Sequence, residues 1–422
     1  MNRKIYYGWW VVAALLPACV VHSGAPFYVF GIFYKPFTLE FGWSRAEIAL
    51  TMTIYLATMG LTSPVIGKLT ERFSPQKIII AGTMVGSICF VLVSRVTALW
   101  QLYGLYFIMG WAYSACGAIP VTTVVAKWFI HKRGLAVGIA VAGISLGGFI
   151  IAPTGAYVME LFGWRPTFLY LAVLSFVLVI PPTLFIVRNT PQEMGLLPYG
   201  ETTQTDDSTI DSLSHIHINT SSLEPGKSWT LSAAMKTWTF WSMCIAFCLI
   251  YMGVGTVLQH QIVHLSDMGV PLTAAAVALG LTGAIGAFGK VFMGFMCDKV
   301  AAKHAAVFCF ALQALGILLL LLAQSMSLIW VFVIIFGFAM GGQYALQPLV
   351  SVYFYGLKNF ATIYGIVYMA SALGSATGPL AAAYMYDLTG TYRYAFTASI
   401  AAALLAAVTM FFIKSPAANP TS

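Results

Sequence analysis

One basic residue, Lys290, falls inside a long apolar run at 272–296, and every Asp and Glu of this 422-residue chain lies in a loop or at the end of such a run. An unpaired ammonium in hydrocarbon costs several kcal/mol, so something must offset it. Helical side chains lean toward the helix N-terminus, which for Lys290 means the middle of the run, so reaching back to the nearer water surface works against geometry. Gly283, Gly286, Ala287 and Gly294 share its helix face and are expected to leave open space beside it. A fixed cation with room around it and no internal carboxylate fits an anionic ligand.

Other groups bear chemistry less directly. His260 lies within an apolar run and could carry a proton or touch a ligand. Gly143-Ile144-Ser145-Leu146-Gly147 spells a hydrolase nucleophile pattern. That pattern needs a strand-turn-helix context; inside a helical run its glycines read as packing positions. Cys244 and Cys248 share a helix face without His nearby and make a poor zinc site, so all seven cysteines read as buried small residues. No metal, no cofactor and no catalytic constellation near an interface is found, which argues against an enzyme.

The elements that must position these groups are long and apolar. Only 8% of residues are charged and 60% are hydrophobic, against roughly 25% charged in soluble domains. A membrane span takes about 20 apolar residues. Apolar runs fall near 8–34, 46–67, 77–94, 98–126, 134–159 and 166–187, then near 237–262, 272–296, 304–323, 327–354, 361–385 and 393–413. This predicts an all-α membrane protein of twelve transmembrane helices in two six-helix bundles, 1–187 and 236–422, joined by a linker at 188–235. The first run follows a basic N-terminus but is too long for a signal peptide, so it reads as a span. Residues 201–228, rich in Ser, Thr and Asp, carry too little apolar surface to fold alone. His215 and His217 there read as solvated side chains.

With both termini placed in the cytoplasm, the inner loops hold fifteen Lys and Arg and the outer loops five, leaving Lys290 as the last of 21. That is the positive-inside asymmetry, and it assigns the net +8 charge to membrane topology rather than to nucleic acid. The halves also repeat. An offset of 227 carries Gly67 to Gly294, Gly110 to Gly337, Gly138 to Gly365 and Gly147 to Gly374. Parallel six-helix repeats with a site between them near the midplane are a transporter architecture.

Gly67-Lys68-Leu69-Thr70-Glu71-Arg72-Phe73-Ser74 resembles the loop signature of the major facilitator superfamily, with Glu71 for its Asp and Ser74 for its second Gly. Asp298-Lys299 repeats it in the second half. Glu71, Arg72, Asp298 and Lys299 are therefore expected to form a gating charge network at helix ends, made and broken between two states. Tyr7-Gly8-Trp9-Trp10 and the string from Trp128 to Gly143 resemble the signatures of the monocarboxylate transporter family. The bacterial oxalate:formate antiporter branch shares the second string, and is similar at Gly341–Pro348 and Gln192–Pro198. The resemblance covers both halves. It implies that Lys290 stands at the substrate-binding Arg of those families, that Tyr28 and Tyr344 face the substrate, and that Ser371 replaces a second cation of the antiporter. Gly286 stands where animal relatives carry an Asp tied to proton coupling. One cation in place of two favours a monoanion.

The expected function is secondary active transport of small monocarboxylate anions by alternating access, as proton-coupled symport, with organic-anion exchange as the alternative. Lys290, Tyr28, Tyr344, His260 and Ser371 are the expected substrate-binding residues. The expected partners are a carboxylate substrate, protons and the lipid bilayer, for a monomer in the cell membrane.

Overall fold

The computed structural model describes residues 5–201 and 229–414; His215, His217 and most of the 201–228 stretch lie outside them. With no water in the bilayer core to satisfy peptide groups, an apolar chain of this length closes its hydrogen bonds within helices. The helices run in the order α1 (Tyr7–Ser23), α2 (Tyr34–Phe41), α3 (Arg45–Arg72), α4 (Pro75–Val93), α5 (Leu99–Cys116), α6 (Ala118–Trp128), α7 (Arg133–Phe162), α8 (Trp164–Phe185), α9 (Leu231–Met235), α10 (Trp238–Asp267), α11 (Leu272–Cys297), α12 (Ala302–Leu321), α13 (Met326–Tyr355), α14 (Phe360–Thr389) and α15 (Arg393–Phe412). They make twelve spans long and apolar enough to cross a membrane, as expected. Local signals set many ends. Ser44 and Glu47 form a reciprocal capping box at the start of α3, and Gly42 and Gly390 close α2 and α14 in the left-handed conformation.

Two spans are broken where the sequence suggested continuous helices. The first passes from α1 through a π-helical turn, Gly24–Tyr28, and a 3-10 turn, Phe30–Phe33, into α2. Pro26 inside the wide turn has no N–H to give to a helical ladder. The fourth breaks at Gly117, between α5 and α6. There His22 Nδ1 lies 2.7 Å from the Tyr113 carbonyl. A carbonyl only accepts, so Nδ1 carries the proton. A Cβ on Gly117 would come within 2.6 Å of the His22 ring, so the break and the histidine fit one another.

The 227-residue offset reappears as packing. In the first half α1 packs on α7, α3 on α5, and α4 on both α5 and α8; in the second α10 packs on α14, α11 on α13, and α12 on both α13 and α15. Across the halves α3 meets α14 and α7 meets α11, again equivalent pairs. Both ends of the 188–235 connection pack against the bundles. Tyr199 exchanges backbone hydrogen bonds with Trp128, Ile130 and His131, and Tyr6 donates to the Leu197 carbonyl, so residues 188–201 dock on the first half. Trp229 is buried against Tyr355 of the second half.

Candidate functional site

The site forms where α7 and α11 cross between the halves. On the α11 face that meets α7, a Cβ at Gly294 would strike the Gly134 carbonyl, and Gly138 packs against the Lys290 backbone. Further along the same face a Cβ at Gly286 would lie 3.2 Å from the Met340 methyl and 3.4 Å from Ser145 Oγ, a close fit. Beyond it Gly283 and Gly280 have nothing within 4 Å. The halves are thus in close backbone contact toward the ends that carry the chain termini, while Gly283 and Gly280 border open space toward the opposite ends.

Lys290 stands where closure gives way to opening. It is 1% exposed. Its side chain leans toward the middle of the span, as its helix direction requires, and Nζ donates to Ser145 Oγ at 2.7 Å. The ammonium also lies 4.9 Å from the ring centroid of Tyr344, within cation–π range. Among the described residues the one ion pair is Arg165 with Glu40, so Lys290 has no carboxylate partner there. An ammonium offers three N–H donors, and the hydroxyl takes one.

Ser145 was not singled out as a binding residue, although it is the first polar side chain of α7 after Arg133. Its flanking glycines do what the pattern suggested, Gly143 and Gly147 fitting against α1 at Leu16 and Val20. This turns Ser145 itself toward α11. Tyr28 ends the π-helical turn, and its ring lies about 3 Å from where a Gly148 Cβ would be. Gly148 is one helical turn beyond Ser145, so Tyr28 borders the same region; it is 41% exposed, on the parted side.

Two expected residues make their described hydrogen bonds elsewhere than at Lys290. Ser371 Oγ accepts from Gln347 Nε2 at 2.5 Å and donates to the Val367 carbonyl at 3.1 Å, which uses it in the contact between α13 and α14. His260 Nε2 lies 3.0 Å from the Pro379 carbonyl, and its ring is 4.9 Å from that of Tyr392. By helix rise, His260 sits about 10 Å from the far end of α10, whereas Lys290 is about 27 Å from the far end of α11. The open space expected beside Lys290 is also narrower. Gly294 and Gly286 serve close backbone approach, Gly286 lying against Gly341 of α13, and of the glycines named for it Gly283 alone borders empty space.

The acidic residues at the helix ends act across the halves, in a way the sequence did not disclose. Glu71, at the end of α3, accepts from Thr362 N at 2.8 Å and from Thr362 Oγ1 at 2.5 Å in the first turn of α14. Asp298, at the end of α11, accepts from Gly134 N at 2.7 Å and Leu135 N at 2.9 Å in the first turn of α7. Each carboxylate caps a helix of the opposite half, where the helix dipole favours negative charge. Both members obey the repeat, since 71 + 227 = 298 and 135 + 227 = 362. Burial raises the Asp298 carboxyl above its ordinary range, and the two backbone donors pull it back down. Arg72 and Lys299 are not in these contacts. Arg72 stands over Phe73 at 5.6 Å and Lys299 over Phe295 at 5.4 Å, so the expected charge network is a pair of carboxylate–helix caps instead.

Comparison with known proteins agrees with this architecture. The family model described as Major Facilitator Superfamily matches residues 6–354 and again 266–422. Monocarboxylate transporter 13 of Rattus norvegicus is 25% identical over 419 residues, covering 97% of this chain and 89% of that protein. Monocarboxylate transporter 12 of Mus musculus is 25% identical over 426 residues, covering 97% and 85%. Among solved structures, the proton:xylose symporter XylE bound to 6-bromo-6-deoxy-D-glucose superposes with a TM-score of 0.74 at 13% identity, covering 97% of this chain and 96% of that one. The human organic anion transporter MFSD10 gives a TM-score of 0.71 at 14% identity, covering 96% and 99%. Twelve spans, a twofold internal repeat, helix caps exchanged between the halves and a family match along most of the chain lead to one conclusion: this chain belongs to the major facilitator superfamily, as a multi-pass membrane transporter resembling the monocarboxylate transporters.

Proposed function

We propose that the protein carries small monocarboxylate anions across the cell membrane by alternating access, with Lys290 as the carboxylate anchor and with proton symport as its mode. The observation that carries this reading is a buried ammonium between the halves that holds one serine hydroxyl and one aromatic face but no acid. A carboxylate arriving there replaces lost hydration with charge-assisted hydrogen bonds. Tyr344 and Tyr28 supply apolar walls with a polar tip, which suits a short organic acid. A single cation balances one negative charge, which favours a monoanion over a dianion. The names of the curated relatives point to the same substrate class.

The charge distribution of the loops supports placing both termini in the cytoplasm. The capped ends are then cytoplasmic, and the parted ends, with Tyr28, face outward. In this reading Glu71 and Asp298 hold the cytoplasmic side shut and release it when the carrier turns inward. Exchange of organic anions is the second reading, favoured by the one fixed cation without an internal carboxylate to carry a proton.

Binding tests the anchor. Loss of a hydrogen bond to a charged group costs about 1.5–3 kcal/mol, so Lys290→Ala should weaken binding of a short monocarboxylate to purified protein roughly ten- to a hundredfold. Calorimetry on the folded variant reads this, and unchanged affinity would remove Lys290 from the site.

A further inference from the structure

The two ends of the connection between the halves land on equivalent places. Tyr199 N donates to the Trp128 carbonyl at 2.9 Å, and the Tyr199 carbonyl accepts from Ile130 N at 3.1 Å and from His131 N at 2.9 Å. Trp128 is fully buried and donates from Nε1 to the Arg188 carbonyl at 2.8 Å. At the other end Trp229 packs edge-on against Tyr355, with ring centroids 5.8 Å apart, and its carbonyl accepts from Asn359 Nδ2 at 2.6 Å. The 227-residue offset carries Trp128 to Tyr355 and Lys132 to Asn359, so both ends use the same two positions of the repeat.

Lys132 and Asn359 introduce the two helices that the gate carboxylates cap. Lys132 precedes α7, whose Gly134 and Leu135 amides donate to Asp298. Asn359 precedes α14, whose Thr362 donates to Glu71. Lys132 has φ 59° and is the one non-glycine residue in the left-handed region among the described residues. A residue with a Cβ keeps that conformation only where its surroundings over-determine it. Here the Tyr199 ring, with Tyr6 and Phe129 at centroid distances of 5.2 and 5.8 Å, takes the Lys132 ammonium at 5.8 Å, while the Tyr199 backbone holds the residues just before it. A linker that served only to join the halves needs no fixed contact with either turn.

We infer that the two ends of the connection are straps that position the gate. Tyr199 fixes the turn that aims the first amides of α7 at Asp298, and Trp229 fixes the turn that aims the start of α14 at Glu71. Both are positioning residues, acting through Lys132 and Asn359, and they set how firmly the cytoplasmic side closes. The inference rests on the gate reading of Glu71 and Asp298 above.

The test labels a cysteine introduced near Thr362, on α14 rather than on the turn that Tyr199 holds, in the full-length protein. The variants are Tyr199→Phe, Tyr199→Ala, Asp298→Ala and the last two combined. Tyr199→Ala should speed labelling about two- to tenfold, and Tyr199→Phe, which keeps the ring over Lys132, should label as the parent does. Adding Tyr199→Ala to Asp298→Ala should change nothing further, because the amides it aims have no carboxylate left to meet. A side chain that merely stabilised the fold would speed labelling by the same factor in both backgrounds. That result would overturn the inference, as would parent-like labelling of Tyr199→Ala. If the alanine variant does not fold, Tyr199→Leu, which keeps bulk but not the ring face, takes its place with the same expectations. For the second strap, Asn359→Ala should speed labelling of a cysteine near Gly134 and add nothing to Glu71→Ala; an equal effect in both backgrounds would overturn it there. Parent-like labelling of Asp298→Ala and Glu71→Ala themselves would sink the gate reading and the straps with it.

Discussion

At the scale of single residues, Lys290 holds a position that carries a cost. Its burial costs several kcal/mol, which a serine hydroxyl and a cation–π contact of about 0.5–2 kcal/mol offset only in part. The balance is available to a ligand. Lys290→Arg keeps the charge but enlarges the head beside a crowded neighbour: a Cβ at Gly286 would already lie 3.2 Å from Met340 and 3.4 Å from Ser145 Oγ. The arginine variant should therefore bind a short carboxylate several-fold more weakly than the parent yet more strongly than Lys290→Ala. If Lys290 itself gives up the coupled proton, the variant should also lose the dependence of transport on a pH gradient, since a guanidinium does not deprotonate. Uptake measured with and without a gradient checks this, and a preserved pH dependence would place the proton elsewhere. Lys290 was legible in the sequence because a lone charge in an apolar run is conspicuous. Ser145 was not, because a serine between glycines reads as packing until the α1 contact shows which way it must turn. Gly286 and Gly294 misled for a related reason: a missing side chain signals close backbone approach as readily as a cavity.

Among the elements, the repeat predicted pairing better than it predicted chemistry. Gly67, Gly294, Gly138 and Gly365 were visible as equivalents at one offset, and all four prove to be contacts across the halves. The partners of Glu71 and Asp298 were invisible because they are mainly backbone N–H groups at the start of α14 and α7, which no residue type advertises. The sequence therefore suggested a charge network that includes Arg72 and Lys299, where the two carboxylates cap helices of the opposite half. Loss of a capping side chain costs about 0.5–2 kcal/mol. Glu71→Ala and Asp298→Ala should each lower the population of the closed gate by a few-fold to about thirtyfold. Asp298 belongs at the lower end, since burial of its carboxylate already opposes the gain. Thiol labelling of a cysteine introduced near Thr362 should become faster in both variants, and turnover should fall, with substrate affinity changed by no more than a few-fold. A large loss of affinity at normal turnover would assign these carboxylates to the substrate instead. The breaks in the first and fourth spans were not read from the sequence. Pro26 and Gly117 mark them, but the hydrogen bond from His22 that accommodates the second break joins residues 91 apart, beyond the reach of a local pattern.

For the whole molecule, hydropathy and charge placement were enough to predict twelve spans and their division into six and six, because the bilayer leaves an apolar chain few alternatives to helices. They could not show which conformation the halves adopt, since that depends on a few close contacts at Gly134, Gly138, Gly67 and Gly365. The halves are in close contact at the ends bearing the termini, and the buried Lys290 ammonium lies between those contacts and the open space at Gly283. Under the alternating-access proposal this arrangement gives one site, reached from one side at a time, with Glu71 and Asp298 as its gate. The most direct test is uptake of labelled 2-hydroxypropionate into proteoliposomes by the parent protein and by Lys290→Ala, with and without an inward proton gradient. The account predicts saturable uptake by the parent, faster with the gradient, and uptake at the protein-free background for Lys290→Ala. Parent-like uptake by Lys290→Ala would contradict it.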